Sequence, residues 1–265
     1  MLKAIIALFL FIACQITTSL AALLWLNREN LMNEQPLDSS LALSHPEAAG
    51  IALLIGAILT IALLVMTQIA RKSAVSSLFR RPEKSYLPAL GGIVALAIGF
   101  SFVLSPFELA DNGTTALFNS MKNNGWCLLL LCVVGPLFEE FIFRESILRN
   151  LALKTMSPLV AAAVSALIFG IIHGNLAQFV PSMLIGFVFG LFYIRTGNLQ
   201  LSASGHILNN SMAIVLMFFP EIEEQTKDLS MPVCLIVGGI LVLAGIALLR
   251  IWWKQSGPSR LGISQ

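Results

Sequence analysis

Residues 126–145 read WCLLLLCVVGPLFEEFIFRE, an apolar run that ends in three carboxylates and one arginine. The apolar part is long enough to enter a bilayer, but an ionisable side chain at the bilayer centre costs about 2.5–3.5 kcal/mol on insertion scales. Such side chains face the interior of a helix bundle or a water-filled cavity. The stretch therefore predicts a membrane helix that carries a buried polar site.

The composition extends this prediction to the whole chain. Of its 265 residues, 57% are hydrophobic and only 11% are charged, whereas soluble domains carry roughly 25% charged residues. The net charge of +2 is too small to indicate a nucleic-acid partner. The four cysteines lie in apolar segments without CxxC spacing, which argues against a disulfide framework or a zinc knuckle. We predict an all-α, polytopic membrane helical bundle, with residues 1–265 as a single integral membrane domain.

A hydropathy window of about 19 residues predicts eight membrane spans. They cover residues 4–26, 48–70, 88–106, 126–148, 158–174, 177–194, 200–219 and 232–253. The first run is long enough for the roughly 30 Å hydrocarbon core, so we expect an uncleaved helix there rather than a cleaved signal peptide. Only a few residues around Gly174 separate spans five and six, which is compatible with a tight hairpin or a partly re-entrant segment.

The basic residues orient these spans, because Lys and Arg accumulate on the cytoplasmic side. With Met1 inside, twelve of the sixteen basic residues fall in inner segments. These are Lys3, Arg71, Lys72, Arg80, Arg81, Lys84, Arg149, Lys154, Arg195, Arg250, Lys254 and Arg260. Most acidic residues fall in outer loops. We therefore predict that both termini are cytoplasmic.

Helical spacing separates the two central glutamates. Glu140 and Arg144 are four residues apart and can pair on one helix face, whereas Glu139 is turned away by about 100°. The preceding Gly135-Pro136 can kink the helix and open backbone carbonyls. A buried structural ion pair, with Glu139 and Glu145 near the interface, is the alternative interpretation of the charges alone.

Two histidines fall in other apolar spans. His173 ends the fifth span, and His206 lies in the seventh, four residues before Asn210 on the same helix face. A single histidine in such a helix is more often a packing or capping residue, but two of them beside a buried glutamate pair indicate a site. Imidazole has an unperturbed pKa near 6.5, and a carboxamide can donate to a developing oxyanion.

These groups suit peptide hydrolysis. A carboxylate in a medium of low dielectric becomes a useful general base for water, and a neighbouring histidine can hold that water. The same groups could bind zinc as a His₂Glu set. The HExxH spacing of such sites is absent and Asn is a poor zinc ligand, so we predict chemistry without a cofactor and keep zinc as the minority interpretation.

At these residues the chain resembles the CAAX-processing and bacteriocin-processing (CPBP, or Abi) family of intramembrane endopeptidases, which includes the CAAX prenyl protease 2 branch. The family pattern has three parts, each on its own membrane helix. Here they are Glu139-Glu140-x-x-x-Arg144, Phe169-x-x-x-His173 and His206-x-x-x-Asn210. The resemblance covers residues 126–212, which it implies are the catalytic core.

The resemblance also implies roles. Glu139 would be the base that activates water, and His173 its partner. His206 and Asn210 would form the oxyanion site, while Glu140 and Arg144 would shape the pocket. Phe169 is expected to pack rather than react. The implied partner is a membrane-associated protein or peptide, lipidated or not, at the lipid bilayer of a bacterial inner membrane.

Two hypotheses from other classes compete with a protease. A non-catalytic scaffold or bacteriocin immunity protein could bind a peptide in the same cavity. A proton-coupled transporter could also use intramembrane Glu, Arg and His residues. The sequence shows no inverted repeat of the kind that many transporters contain, which argues against the transporter.

Overall fold

Eight long helices make up most of the part of the protein that the structure describes. A computed structural model describes residues 1–79, 82–83 and 85–261, and within these ranges the secondary structure is helical, with no strand. The long helices are α1 (Leu2–Leu26), α2 (Pro46–Met66), α3 (Tyr86–Leu104), α4 (Gly125–Leu153), α5 (Pro158–Ile171), α6 (Leu176–Thr196), α7 (Gln200–Leu216) and α8 (Met231–Gln255). This confirms the all-α prediction.

Short helices lie between the long ones. They are Arg28–Met32, Leu41–Ser44, Ser73–Ser77, the 3₁₀ turn Ser105–Phe107, Thr114–Met121 and Pro220–Lys227. Arg80, Arg81 and Lys84, three of the basic residues used to orient the spans, lie outside the described residues.

A helix is present at each predicted span, but the helices differ in length. Within the described ranges, six are long and apolar enough to cross a membrane. The count is seven if α7 and the helix that follows it at an angle of 90° are taken as one span. Helix α5 has only 14 residues, which is about 21 Å at 1.5 Å per residue. The chain is a polytopic helical membrane protein, and the count of eight full spans stays a prediction.

Glycines allow α3 and α8 to approach closely. A Cβ atom built on Gly99 would lie 3.0 Å from the Gly238 carbonyl oxygen, and one on Gly238 would lie 2.8 Å from that of Gly99. Gly92 and Gly245 repeat this contact two turns away. Small residues let membrane helices pack backbone to backbone, so this pair forms a rigid side of the bundle.

Four basic residues predicted to be cytoplasmic lie at one end of the bundle: Lys3, Arg71, Arg195 and Arg260. The Lys3 ammonium donates to the Gln68 carbonyl, close to Arg71. Arg71 faces the Gly197 carbonyl, and the Arg260 N–H donates to the Arg195 carbonyl. These residues therefore share one end, as the charge pattern predicted. That this end faces the cytoplasm stays a prediction.

Candidate active site

The middle of α4 contains two π-helical segments, Leu130–Val134 and Phe141–Leu148, on either side of an α-helical turn. The Gly135 N–H donates to the carbonyl of Leu130, five residues back, and Pro136 has no N–H. The Leu131 carbonyl therefore has no helical donor. It accepts instead from the Asn210 side chain, at 3.1 Å. The Gly135-Pro136 pair thus frees a carbonyl that positions Asn210.

Glu140 and Arg144 pair as their spacing predicted. Arg144 Nε lies 3.2 Å from Glu140 Oε2, and both side chains are fully buried. The N–H bond does not point at the oxygen, and the guanidinium makes no hydrogen bond to any described residue. It lies between the rings of Phe169 and Phe189, at 5.1 and 5.8 Å from their centroids. The pair is an ion pair supported by cation–π contacts.

His206 lies between the two glutamates. Its Nδ1 is 3.1 Å from Glu140 Oε1 and its Nε2 is 3.6 Å from Glu139 Oε2. The imidazole stacks on Phe189 at 5.0 Å and meets the edge of Phe169 at 5.6 Å. Glu139 retains 31% of its side-chain exposure, whereas Glu140 has none. Neighbouring carboxylates therefore have different surroundings, and only Glu139 is accessible.

His173 follows the end of α5. Its Nδ1 lies 2.7 Å from the Phe169 carbonyl oxygen; because a carbonyl only accepts, Nδ1 carries the proton and Nε2 is left for other partners. Within the described part of the chain, His173 has no hydrogen bond or ion pair to Glu139. A partnership between these two residues in activating water stays a prediction.

All four predicted catalytic residues line one cavity of about 1180 Å³: Glu139, His173, His206 and Asn210. Its other walls are mostly apolar and come from α1 through α7. Glu140 and Arg144 lie behind the wall, where they contact His206 and its neighbouring rings. Helix α5 ends at Ile171, so His173 follows the helix and does not lie within it.

Phe169 does more than the sequence predicted, and two further residues near the site, Asn175 and Phe189, were missing from the prediction. Phe169 contacts both histidines as well as Arg144, so it positions the charged groups in addition to packing. Asn175 caps α6 by accepting from the Gln178 N–H at 2.8 Å. Its Asn-x-x-Gln spacing resembles a capping box, a signal that could have been found. No comparable signal marks Phe189.

A second ion pair lies toward the C-terminal end of α4. Arg71 Nε lies 2.8 Å from Glu145 Oε1, and Arg71 Nη2 lies 2.8 Å from Glu145 Oε2. The Arg71 backbone N–H also donates to Oε1. The Tyr193 hydroxyl donates to the same carboxylate. The hydrogen bonds to Glu145 raise the pKa of Arg71. Glu145 is fully buried within the protein; its position relative to the membrane interface stays a prediction.

No group of three or more His, Cys, Asp or Glu side chains could hold a metal ion within the described ranges. The donor geometry therefore offers no support for the zinc interpretation. The prediction of chemistry without a cofactor is untested by this geometry.

Comparison with known proteins identifies a related family. Residues 122–212 match the family model of the Type II CAAX prenyl endopeptidase Rce1-like proteins. The matched segment is about a third of the chain and contains all six residues of the predicted site. No solved structure matches the chain.

Two bacterial relatives match the chain. The putative membrane peptidase YdiL of Bacillus subtilis (strain 168) is 27% identical over 132 residues, which are 50% of this chain and 53% of the relative. The membrane-embedded CAAX protease MroQ of Staphylococcus aureus (strain USA300) is 29% identical over 108 residues, 38% of this chain and 43% of the relative. The chain therefore spans about half the length of these relatives. A bacterial inner membrane is consistent with both.

Proposed function

We propose that this protein is an intramembrane endopeptidase that hydrolyses a peptide bond of a membrane-associated protein or peptide. The observation that carries the proposal is the position of His206 against Glu139 and Glu140 at the wall of an apolar cavity. The match of residues 122–212 to the Rce1-like CAAX prenyl endopeptidase model supports the same reaction class.

Glu139 is the general base in this proposal, because it is the accessible carboxylate of the pair. It takes a proton from a water molecule as the water oxygen bonds to the peptide carbonyl carbon. His173 Nε2, free of the Phe169 carbonyl, accepts a hydrogen bond from the same water. Glu140 cannot take this role, since it is fully buried between Arg144 and His206.

The electron pair of the peptide carbonyl moves to its oxygen. Asn210 has a second N–H besides the one that donates to Leu131, and the cavity can place the oxyanion near it and near His206 Nε2. Because His206 Nδ1 faces the Glu140 carboxylate, Nε2 donates to the oxyanion in this proposal only with the imidazole protonated on both nitrogens. Preorganised donors of this kind typically contribute about 3–4 kcal/mol to transition-state stabilisation. Glu139 then returns its proton to the amide nitrogen as the C–N bond breaks, which gives a carboxylic acid and an amine.

The substrate class follows from the cavity and the family. A mostly apolar space of about 1180 Å³ among membrane helices suits a peptide segment with an apolar side chain or an attached lipid. The staphylococcal relative is named a CAAX protease, and CAAX-type processing is the first substrate class to test. Bacteriocin-type processing of an unlipidated peptide is the other.

The test uses the purified protein in lipid vesicles with a quenched synthetic peptide. The peptide carries a farnesylated cysteine followed by Ala-Ala-Leu, and an unlipidated twin is run beside it. We expect Glu139→Gln to lower cleavage by about 10²–10⁴-fold, the usual worth of general acid–base catalysis. Glu221→Gln, an exposed glutamate outside the cavity, is the matched control and should leave cleavage unchanged.

The competing hypotheses give different results. Undiminished cleavage by Glu139→Gln would refute the glutamate mechanism, and inhibition by a chelator with recovery on adding zinc would favour the zinc form. A scaffold or immunity protein would retain its cellular phenotype after loss of Glu139. A transporter would show proton-coupled uptake in vesicles without cleavage.

A further inference from the structure

Gln178 is a polar residue of the cavity wall that the proposed mechanism does not use. Its side-chain oxygen accepts from the Asn175 amide nitrogen at 2.9 Å, and Asn175 is itself buried and makes the helix cap. The orientation of the Gln178 amide is therefore fixed. Its nitrogen has no hydrogen-bond partner among the described residues and remains available as a donor.

An acceptor lies next to this donor in the chain. Pro181 is inside α6 and has no N–H, so the carbonyl of Ala177, four residues earlier, lacks its helical donor. Ala177, Gln178 and Pro181 all line the cavity. The Ala177 N–H donates to the Ala110 carbonyl at 3.1 Å, which holds this first turn of α6 against the preceding loop.

The same turn is tied to the proposed catalytic histidine. The Asn175 amide nitrogen that donates to Gln178 also lies 3.2 Å from the His173 carbonyl oxygen and 3.0 Å from the Thr114 hydroxyl. The Gln178 amide and the His173 backbone are thus two hydrogen bonds apart. Gln178 and His173 also line the same cavity, so a group bound to Gln178 would share that cavity with the proposed catalytic histidine.

We propose that Gln178 and the Ala177 carbonyl bind the main chain of the substrate in an extended conformation beside His173. A substrate carbonyl accepts from the Gln178 side-chain nitrogen, and a substrate N–H donates to the Ala177 carbonyl. An extended segment exposes both groups, whereas a helix uses them internally. The subsite therefore selects unwound peptide independently of its side chains. This inference rests on the proposed peptidase function.

The experiment measures binding of the farnesylated Ala-Ala-Leu peptide, fluorescently labelled, to the uncleaving Glu139→Gln protein in lipid vesicles. Adding Gln178→Leu should raise Kd by about tenfold, the upper range for one hydrogen bond. Gln255→Leu makes the same chemical change at the exposed end of α8 and should leave Kd unchanged. Pro181→Ala returns an N–H that takes the Ala177 carbonyl, so it should weaken binding about threefold while the melting temperature does not fall.

Peptides with one amide replaced by an ester identify the contact. An ester lacks the N–H, so at the matching position it should weaken binding to the parent protein but add no loss in Pro181→Ala. Three results would overturn the inference. The first is that Gln178→Leu binds the peptide as tightly as its parent protein. The second is that the losses from the ester and from Pro181→Ala add together, and the third is that the peptide does not bind at all. Normal cleavage by Glu139→Gln would instead refute the proposed mechanism. The binding measurements would still test the subsite in that case.

Discussion

Two carboxylate–arginine pairs meet at the π-helical segment Phe141–Leu148 of α4, which contains Arg144 and Glu145, and they are built in opposite ways. Glu140 and Arg144 are both fully buried, and their atoms approach to 3.2 Å without an aligned hydrogen bond. Glu145 and Arg71 form a bidentate pair, with further donors from the Arg71 backbone and the Tyr193 hydroxyl. The first pair lies beside His206, and the second lies at the end of the helix.

The difference in hydrogen bonding indicates different roles for the two ion pairs. Buried charges are costly unless hydrogen bonds satisfy them, and the Glu145 pair meets this condition with partners from two other parts of the chain. The Glu140 pair does not, and the unsatisfied guanidinium lies between two aromatic rings that also contact the imidazole. We infer that the second pair holds α4 in position while the first sets the charge around Glu139 and His206.

The largest loss of stability should come from breaking the fully buried Glu140–Arg144 pair. Arg144→Met leaves Glu140 buried without its countercharge, which costs about 3–5 kcal/mol. The melting temperature in detergent should fall steeply, and cleavage should be lost with it. Adding Glu140→Gln to Arg144→Met removes the unpaired charge and should recover at least half of the lost stability. No recovery in the double variant would mean that the arginine contributes by packing instead.

Breaking the bidentate pair should cost less and should depend on which partner is removed. Arg71→Met leaves a buried carboxylate, but the backbone N–H at position 71 and the Tyr193 hydroxyl still donate to it, so we expect a loss of about 2–3 kcal/mol. In Glu145→Gln, the Arg71 side chain can still reach water because it is 40% exposed. We therefore expect this variant to lose only about 1 kcal/mol of stability. Chemical unfolding in detergent measures both. An equal loss would contradict the asymmetry.

The π-helical turn before Glu139 can be tested at its glycine. A Cβ atom on Gly135 would lie 2.9 Å from the Leu130 carbonyl oxygen, so Gly135→Ala forces a backbone shift that costs about 1–2 kcal/mol. It should also disturb the Leu131–Asn210 hydrogen bond and reduce kcat more than it changes KM. Gly239→Ala, where a Cβ meets no atom within 4 Å, is the control and should be neutral or slightly stabilising.

The smallest effect is expected in the loop that precedes the helix Thr114–Met121. Hydrogen bonds from Thr115 and from the Gly113 N–H lower the pKa of Asp111. Because the folded pKa is below the unfolded value, this contribution is present above pH ~4 and is lost as the pH falls through the folded pKa. Amide exchange at residues 113 and 115 should accelerate on acidification, normalised for intrinsic exchange. Asp111→Asn should remove that dependence.

Much of this architecture is readable from the sequence because it depends on local spacing. The apolar runs locate the helices, although the second ends at Met66 and not at residue 70. The four-residue spacing places Glu140 against Arg144. It also puts His206 and Asn210 on one face of α7, where both contact α4.

The remaining features depend on contacts that spacing does not encode. Arg71 and Glu145 are 74 residues apart and meet only because α2 ends beside α4. The Leu131 carbonyl in the first π-helical segment accepts from Asn210 of α7, 79 residues away, a contact that the sequence of α4 alone does not reveal. Phe189 resembles any other aromatic residue of α6 until its ring is seen against His206.

The shortness of α5 has a consequence for the surrounding lipid. At about 21 Å, this helix is shorter than the roughly 30 Å hydrocarbon layer, and a bilayer adapts to such a mismatch by thinning around the protein. His173 lies just beyond the end of this helix. A thinned bilayer at that point brings the headgroup region and its hydration closer to the cavity, and every hydrolysed bond consumes one water molecule. The short helix would then shorten the path by which water, the second substrate of the reaction, reaches the cavity.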